Sequence, residues 1–118
     1  MSIGLSYVIN IFMNTKDEWT QEEFYKQKKQ LEKQGKQVVL VDTILKPIQG
    51  VQTVKYNPFE LQQYPLGTVF VFYCDTGKTT KERINFFRSK LPGYECVSLK
   101  GGRGYWRPFF QEDIDENI

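Results

Sequence analysis

Cys74-Asp75-Thr76-Gly77-Lys78-Thr79 is the segment of this chain best suited to chemistry, because it joins an apolar run, Val69-Phe70-Val71-Phe72-Tyr73, to a helical pattern. The thiolate is the reactive form of cysteine, and nearby N–H donors or cations lower the pH at which it forms. The sequence contains no histidine, which removes the commonest general base and the commonest zinc ligand. Activation of Cys74 must therefore come mainly from successive backbone N–H groups curling around the sulfur, with Lys78 adding a positive charge nearby. Gly77 permits the conformation in which such donors converge. The plainer alternative is a buried cysteine at a strand end with no chemical role.

Spacing excludes other readings of the same segment. A phosphate-binding loop needs glycine five residues before Gly77-Lys78-Thr79, and Phe72 stands there. A phosphatase loop of the C-x5-R type needs arginine where Thr80 stands, so no guanidinium can clamp a phosphoryl group. A C-x-x-C redox pair fails because Gly77 occupies the second cysteine position. No metal site is expected. Cys96, between Glu95 and Val97, is expected to pack in the core, with a resolving thiol as the alternative. Arg103 and Arg107 either border the pocket or are simply solvated. Phe86, Phe87, Phe109 and Phe110 are read as helix-packing residues rather than a platform for stacked bases.

The elements that must position Cys74 can be read from the pattern around it. Trp19-Thr20-Gln21-Glu22-Glu23-Phe24 holds a capping box, Thr20 with Glu23, and a Trp19–Phe24 staple, so a helix is expected from there to about Lys33. Gly35 supplies a left-handed cap after it. Val38-Val39-Leu40-Val41 and residues 69–73 are continuous apolar runs, as in strands covered on both faces of a parallel sheet. Between them a short strand over 51–56 and a helix capped by Asn57-Pro58 through about Gln63 are expected. The helix after Cys74 is expected to open with a second capping box, Thr79 with Glu82, and to bury Ile84, Phe87 and Leu91. Pro92-Gly93 stops it, residues 96–99 form the next strand, and Gly101-Gly102 turn the chain toward Trp106. Alternating strands and helices make an α/β fold with a mainly parallel central sheet and helices on both faces.

The chain's 118 residues fit one domain, 1–118. Residues 1–14, with Ile3, Leu5, Tyr7, Ile9, Ile11 and Met13 at period two, read as an extra N-terminal strand, and 112–118 as a frayed acidic tail. Sixteen basic against fourteen acidic residues leave a net charge of +2, which gives no reason to invoke nucleic acid or a membrane surface as partner. With two cysteines and no recognisable secretory leader, the expected setting is the reducing cytoplasm.

The loop that starts with Cys74 at a strand end, carries Gly77 three residues later and leads into a helix resembles the active-site loop of the rhodanese family. Leu99-Lys100-Gly101-Gly102-Arg103-Gly104-Tyr105-Trp106 is similar to that family's L-x-G-G-x-x-x-W signature. Residues 20–31 followed by 38–42, a strand ending in Asp42, are similar to its first helix and following strand, so the resemblance spans roughly residues 19–106. Lys46-Pro47-Ile48-Gln49-Gly50-Val51 takes the place of the family's G-H-I-P-G-A segment. The resemblance implies a rhodanese-like fold and a sulfurtransferase or sulfur relay. Cys74 would accept a sulfane sulfur as a persulfide, residues 75–79 would cradle it, and Asp42, Gly101 and Gly102 would form the nearby scaffold. The partners implied are a small sulfane-sulfur donor or a persulfidated protein, and a thiol acceptor; no organic cofactor or metal is required. Thiosulfate-using members often carry basic residues where this chain has Asp75 and Thr76, so Asp75 is expected to disfavour that donor. The alternative is a non-catalytic rhodanese-like module that binds protein or senses redox state.

Overall fold

A computed structural model of the chain describes residues 16–108. The expected strand over 1–14, the tail over 112–118, and Phe109 and Phe110 lie outside them. Five parallel strands form one sheet in the order β1-β5-β4-β2-β3. The strands are β1 (Glu18–Trp19), β2 (Val38–Asp42), β3 (Thr53–Lys55), β4 (Val69–Tyr73) and β5 (Glu95–Leu99). The helices are α1 (Gln21–Lys33), α2 (Pro58–Leu61), α3 (Lys78–Glu82) and α4 (Ile84–Lys90), and a 3-10 turn covers Arg103–Tyr105. The architecture is thus α/β with an all-parallel sheet. Among the described residues no helix is long and apolar enough to cross a membrane.

The continuous apolar runs occupy the middle of the sheet. Leu40, Val71 and Val97 align across three strands, and the next row is Val41, Phe72 and Ser98. Side chains alternate along a strand, and the core divides accordingly. Val38, Leu40, Val69, Val71, Tyr73, Val97 and Leu99 pack with Trp19 and with Phe24 of α1. Val41, Phe70, Phe72 and Cys96 pack with Leu61, Ile84, Phe87 and Leu91. Within the second group the Phe72 and Phe87 rings stack with centroids 4.2 Å apart and planes 3° from parallel.

Local signals behave as their chemistry dictates at α1. Thr20 Oγ1 accepts the Glu23 N–H at 3.1 Å, and Glu23 Oε1 accepts the Thr20 N–H at 3.2 Å. Past the other end Gly35 takes φ +83°, while its own N–H and that of Lys36 bond back to the carbonyls of Glu32 and Leu31. Those two bonds satisfy carbonyls that the helix leaves unpaired. Asn57 Oδ1 likewise accepts the N–H groups of Phe59 and Glu60, although α2 ends at Leu61 rather than near Gln63.

The second expected capping box is not formed. Gly77, with φ +88° and no side chain to cap with, precedes α3, and helical bonding begins with the Lys81 N–H to the Gly77 carbonyl at 3.2 Å. Thr79 therefore lies inside the helix, and Arg83 interrupts the pattern before α4 resumes at Ile84. Ile84, Phe87 and Leu91 are buried as expected, whereas Phe86 is 42% exposed, with Arg83 and Lys90 over its ring. Edge strand β1 was not legible in the sequence. It pairs with Ser98 and Leu99, helped by Ser98 N–H to Asp17 O at 2.8 Å and Lys100 N–H to Trp19 O at 2.7 Å.

Phe87→Ala removes a fully buried ring from the Phe72 stack and is expected to lower unfolding free energy by about 3–5 kcal/mol. The denaturant midpoint reads this loss. A shift below that of Phe86→Ala would show that the stack does not anchor α4.

Candidate active site

Cys74 directly follows β4, at the carboxyl ends of the strands, where ligands sit in open parallel sheets. Its Sγ accepts the Gly77 N–H at 3.1 Å and lies 3.5 Å from Thr80 Oγ1. Burial opposes ionisation of this thiol. The Thr80 hydroxyl and the N–H groups of Thr80, Gly77 and Thr76, among which that of Gly77 makes a full hydrogen bond, outweigh it and bring the pKa below its ordinary 9.0. Lys78, expected to contribute charge, has an exposed side chain, and its N–H turns to Thr76 Oγ1 at 3.4 Å. Asp75, Thr76 and Thr79 are also exposed.

The double-glycine turn closes over this loop by main-chain contact. Arg103 N–H donates to the Cys74 carbonyl and Gly104 N–H to the Asp75 carbonyl, each at 2.8 Å. Gly102, at φ +58° and ψ −155°, lies so close that a Cβ there would run into Cys74 O, the Asp75 carbonyl carbon and Gly77 N. A Cβ on Gly77 would stand 2.8 Å from both Gly101 N and Leu99 O. Gly101, at φ +83°, packs instead on Tyr105. Both glycines read from the sequence thus stand at the loop.

Asp42 is buried at the end of β2, in register with Tyr73. Its Oδ1 accepts the Ile44 N–H at 2.8 Å and so shapes the chain that leaves β2. Burial and the Asp42 carboxylate both hold the Tyr73 hydroxyl in its protonated form, and that hydroxyl donates to Lys46 O at 2.7 Å. Asp42 acts on the residue preceding Cys74 rather than on the sulfur. Arg103 Nε reaches Pro47 O at 3.3 Å and ties the turn to the same segment. Arg107 lies at α1, where its N–H and carbonyl pair with the Gln21 side chain.

No family model, curated protein or solved structure matches this chain. The site therefore stands on its own geometry. Among the described residues no cluster of cysteine, aspartate or glutamate could hold a metal ion. Two surface clefts, of about 310 and 590 Å³, border β2 and β3 and do not include Cys74.

Sequence reasoning missed two residues here. Thr80 and Ser98 are 1% and 0% exposed, and their hydroxyl oxygens lie 2.6 Å apart. A serine between Val97 and Leu99 in a buried strand was the available signal, since a buried hydroxyl needs a partner. Cys96 behaves as a core residue. Burial pushes its thiol up to about 12, although Arg88 nearby opposes this.

Two outcomes follow from this geometry. Gly102→Ala forces a side chain into the Cys74 loop and a conformation essentially reserved for glycine, so a melting temperature lower by about 10 °C or more is expected. An unchanged melting temperature would mean that the turn and loop do not meet. For Cys96, the folded pKa lies above the unfolded one, so the folded state keeps a proton that the unfolded chain releases above pH 9.0. Its contribution to stability is full below pH 9 and is lost as pH rises toward 12, by about 1.4 kcal/mol per unit. Stability measured from pH 8 to 11 should fall less steeply in Cys96→Val than in the unsubstituted protein.

Proposed function

We propose that this chain is a rhodanese-like sulfurtransferase or sulfur relay with Cys74 as its nucleophile. The observation that carries this reading is the set of donors converging on Cys74 Sγ at the carboxyl end of a parallel sheet, with the thiol pKa brought below its ordinary value. Further support comes from the double-glycine turn packed on the loop, and from free Cys74 and Cys96. A rhodanese-like arrangement with helices on both sheet faces is supported by the two packing groups, one containing Phe24 of α1 and the other Ile84 and Phe87 of α4.

In the proposed reaction the Cys74 thiolate attacks the sulfane sulfur of a donor. A bond forms between Sγ and that sulfur, the donor's bond to it breaks, and the donor's remainder leaves with the electron pair. The persulfide anion is stabilised by loop donors. An acceptor thiolate then attacks the outer sulfur, forming its own persulfide and returning Cys74 as a thiolate. Exposed Leu45 and Tyr105 follow β2 and β5 and give that end of the sheet an apolar fringe suited to a protein-borne donor or acceptor.

A second reading is favoured by one observation. Cys74 is only 5% exposed, which suits a non-catalytic module that binds protein or senses redox state. Intact mass after incubation with a sulfane-sulfur donor separates the two. The protein should gain one sulfur atom, Cys74→Ser should gain none, and Cys96→Ser should behave like the unsubstituted protein. A Cys74→Ser protein that still gains sulfur would overturn the assignment of the nucleophile.

Asp75 is exposed directly beside Cys74. At this solvent-exposed position its repulsion of an anionic donor is worth about 1 kcal/mol, or roughly fivefold in rate. Asp75→Asn should raise kcat/KM for thiosulfate by about that factor, with the gain shrinking as salt is added, and should leave a neutral trisulfide donor unaffected. Equal effects on both donors would show that Asp75 does not select between them.

A further inference from the structure

Behind Cys74 lies a buried hydroxyl pair that the reaction does not itself require. Thr80 Oγ1 is 3.5 Å from Cys74 Sγ and 2.6 Å from Ser98 Oγ, and either atom of each pair can be the donor. Both hydroxyls also lie 3.4 Å from the Gly77 carbonyl. That carbonyl already accepts the Lys81 N–H at 3.2 Å, so it does not depend on either hydroxyl for a partner. The β5 ladder fixes Ser98 beside Phe72, and α3 carries Thr80, so two different elements bring the pair together.

We propose that Thr80 and Ser98 form a hydroxyl chain that reverses its direction of donation when Cys74 ionises, which makes Ser98 a positioning residue for the thiolate. In the thiol state the S–H donates to Thr80 Oγ1, the Thr80 hydroxyl to Ser98 Oγ, and the Ser98 hydroxyl to the Gly77 carbonyl. On ionisation the sulfur's proton passes to solvent. Ser98 then donates to Thr80 Oγ1, and Thr80 donates to the sulfur anion. Every buried hydroxyl proton has an acceptor in both states, which matters because an unpartnered buried group is costly. A single hydroxyl could donate to the anion, but its own oxygen would then lose the donor it had in the thiol state. Ser98 supplies that replacement donor.

The inference rests on Cys74 being the reactive thiol of the site, not on sulfur being transferred. The ionisable groups on the elements that meet at Cys74 include Tyr73 at the end of β4, Asp75 and Lys78 in its loop, Lys81 and Glu82 on α3, Asp42 at the end of β2, and Lys100, Arg103 and Tyr105 after β5. Lys81 is paired with Glu18 at 3.6 Å. All of these remain in every variant below, so differences among the variants report the hydroxyls.

The test is the pH dependence of Cys74 alkylation by iodoacetamide in the full chain, read peptide by peptide. Thiolate ultraviolet absorbance, taken as the difference from the matching Cys74→Ser protein, repeats the measurement without needing access to the sulfur. Ser98→Ala should slow alkylation near neutral pH by about threefold, and Thr80→Val by about tenfold, through upward shifts of the apparent pKa. Ser98→Ala combined with Thr80→Val should match Thr80→Val alone, because Ser98 acts only through Thr80. Ser98→Thr and Thr80→Ser, which keep the hydroxyls, should titrate like the unsubstituted protein. A Ser98→Ala profile coincident with the unsubstituted one, or additive shifts in the double variant, would overturn the chain. If the shifts appear as stated but no variant, nor the unsubstituted protein, forms a persulfide, sulfur transfer fails and the hydroxyl chain stands.

Discussion

The site depends on one close approach, that of the Gly102 backbone to the Cys74–Gly77 loop. No side chain intervenes there, and a single Cβ would collide with three main-chain atoms. The approach also sorts the polar groups of the loop. The carbonyls of Cys74 and Asp75 are taken by the N–H groups of Arg103 and Gly104. The N–H groups of Thr76, Gly77 and Thr80 are left to act on the sulfur. Donors and acceptors of one short loop are thus directed to different partners, and the sulfur is surrounded by the positive ends of peptide dipoles.

The two cysteines show how far this sorting matters. Cys74 and Cys96 are covered almost equally, at 5% and 3% exposure. Coverage alone raises a thiol pKa, and for Cys96 it does so. Cys74 moves the other way because hydrogen-bond donors outweigh desolvation. Cys96 also lies deeper below the surface, and the opposite shift at Cys74 is due to the donors that the turning backbone places around its sulfur.

How much of this was legible in the sequence depends on whether the cause was local. The α1 capping box and the Gly35 cap involve residues a few positions apart, and both form as read. The apolar runs of β2 and β4 announced a parallel sheet because burial on both faces leaves no alternation. Thr79 with Glu82 carried the same local signature as Thr20 with Glu23, yet the Gly77 N–H is drawn to Cys74 Sγ and helical bonding starts two residues earlier than that box requires. The strand Glu18–Trp19 has too few residues to show a period, and its pairing is with residues about eighty positions away. In the candidate site, Cys74, Gly77, Gly101 and Gly102 were readable as types at a spacing. Thr80 and Ser98 were not, because their partnership crosses from α3 to β5 and each looks ordinary in its own element.

Along the loop, exposure follows a simple rhythm. Asp75, Thr76, Lys78 and Thr79 face solvent, whereas Gly77 and Thr80 are buried. The buried pair touches the Cys74 sulfur, Gly77 through its N–H and Thr80 through its hydroxyl. Substitutions at 75, 76, 78 and 79 can therefore alter what approaches the sulfur without removing the side chain and N–H group that contact it. If Cys74 is the nucleophile proposed above, such a loop separates selectivity from reactivity along the chain itself, with four positions free to change around one fixed sulfur environment.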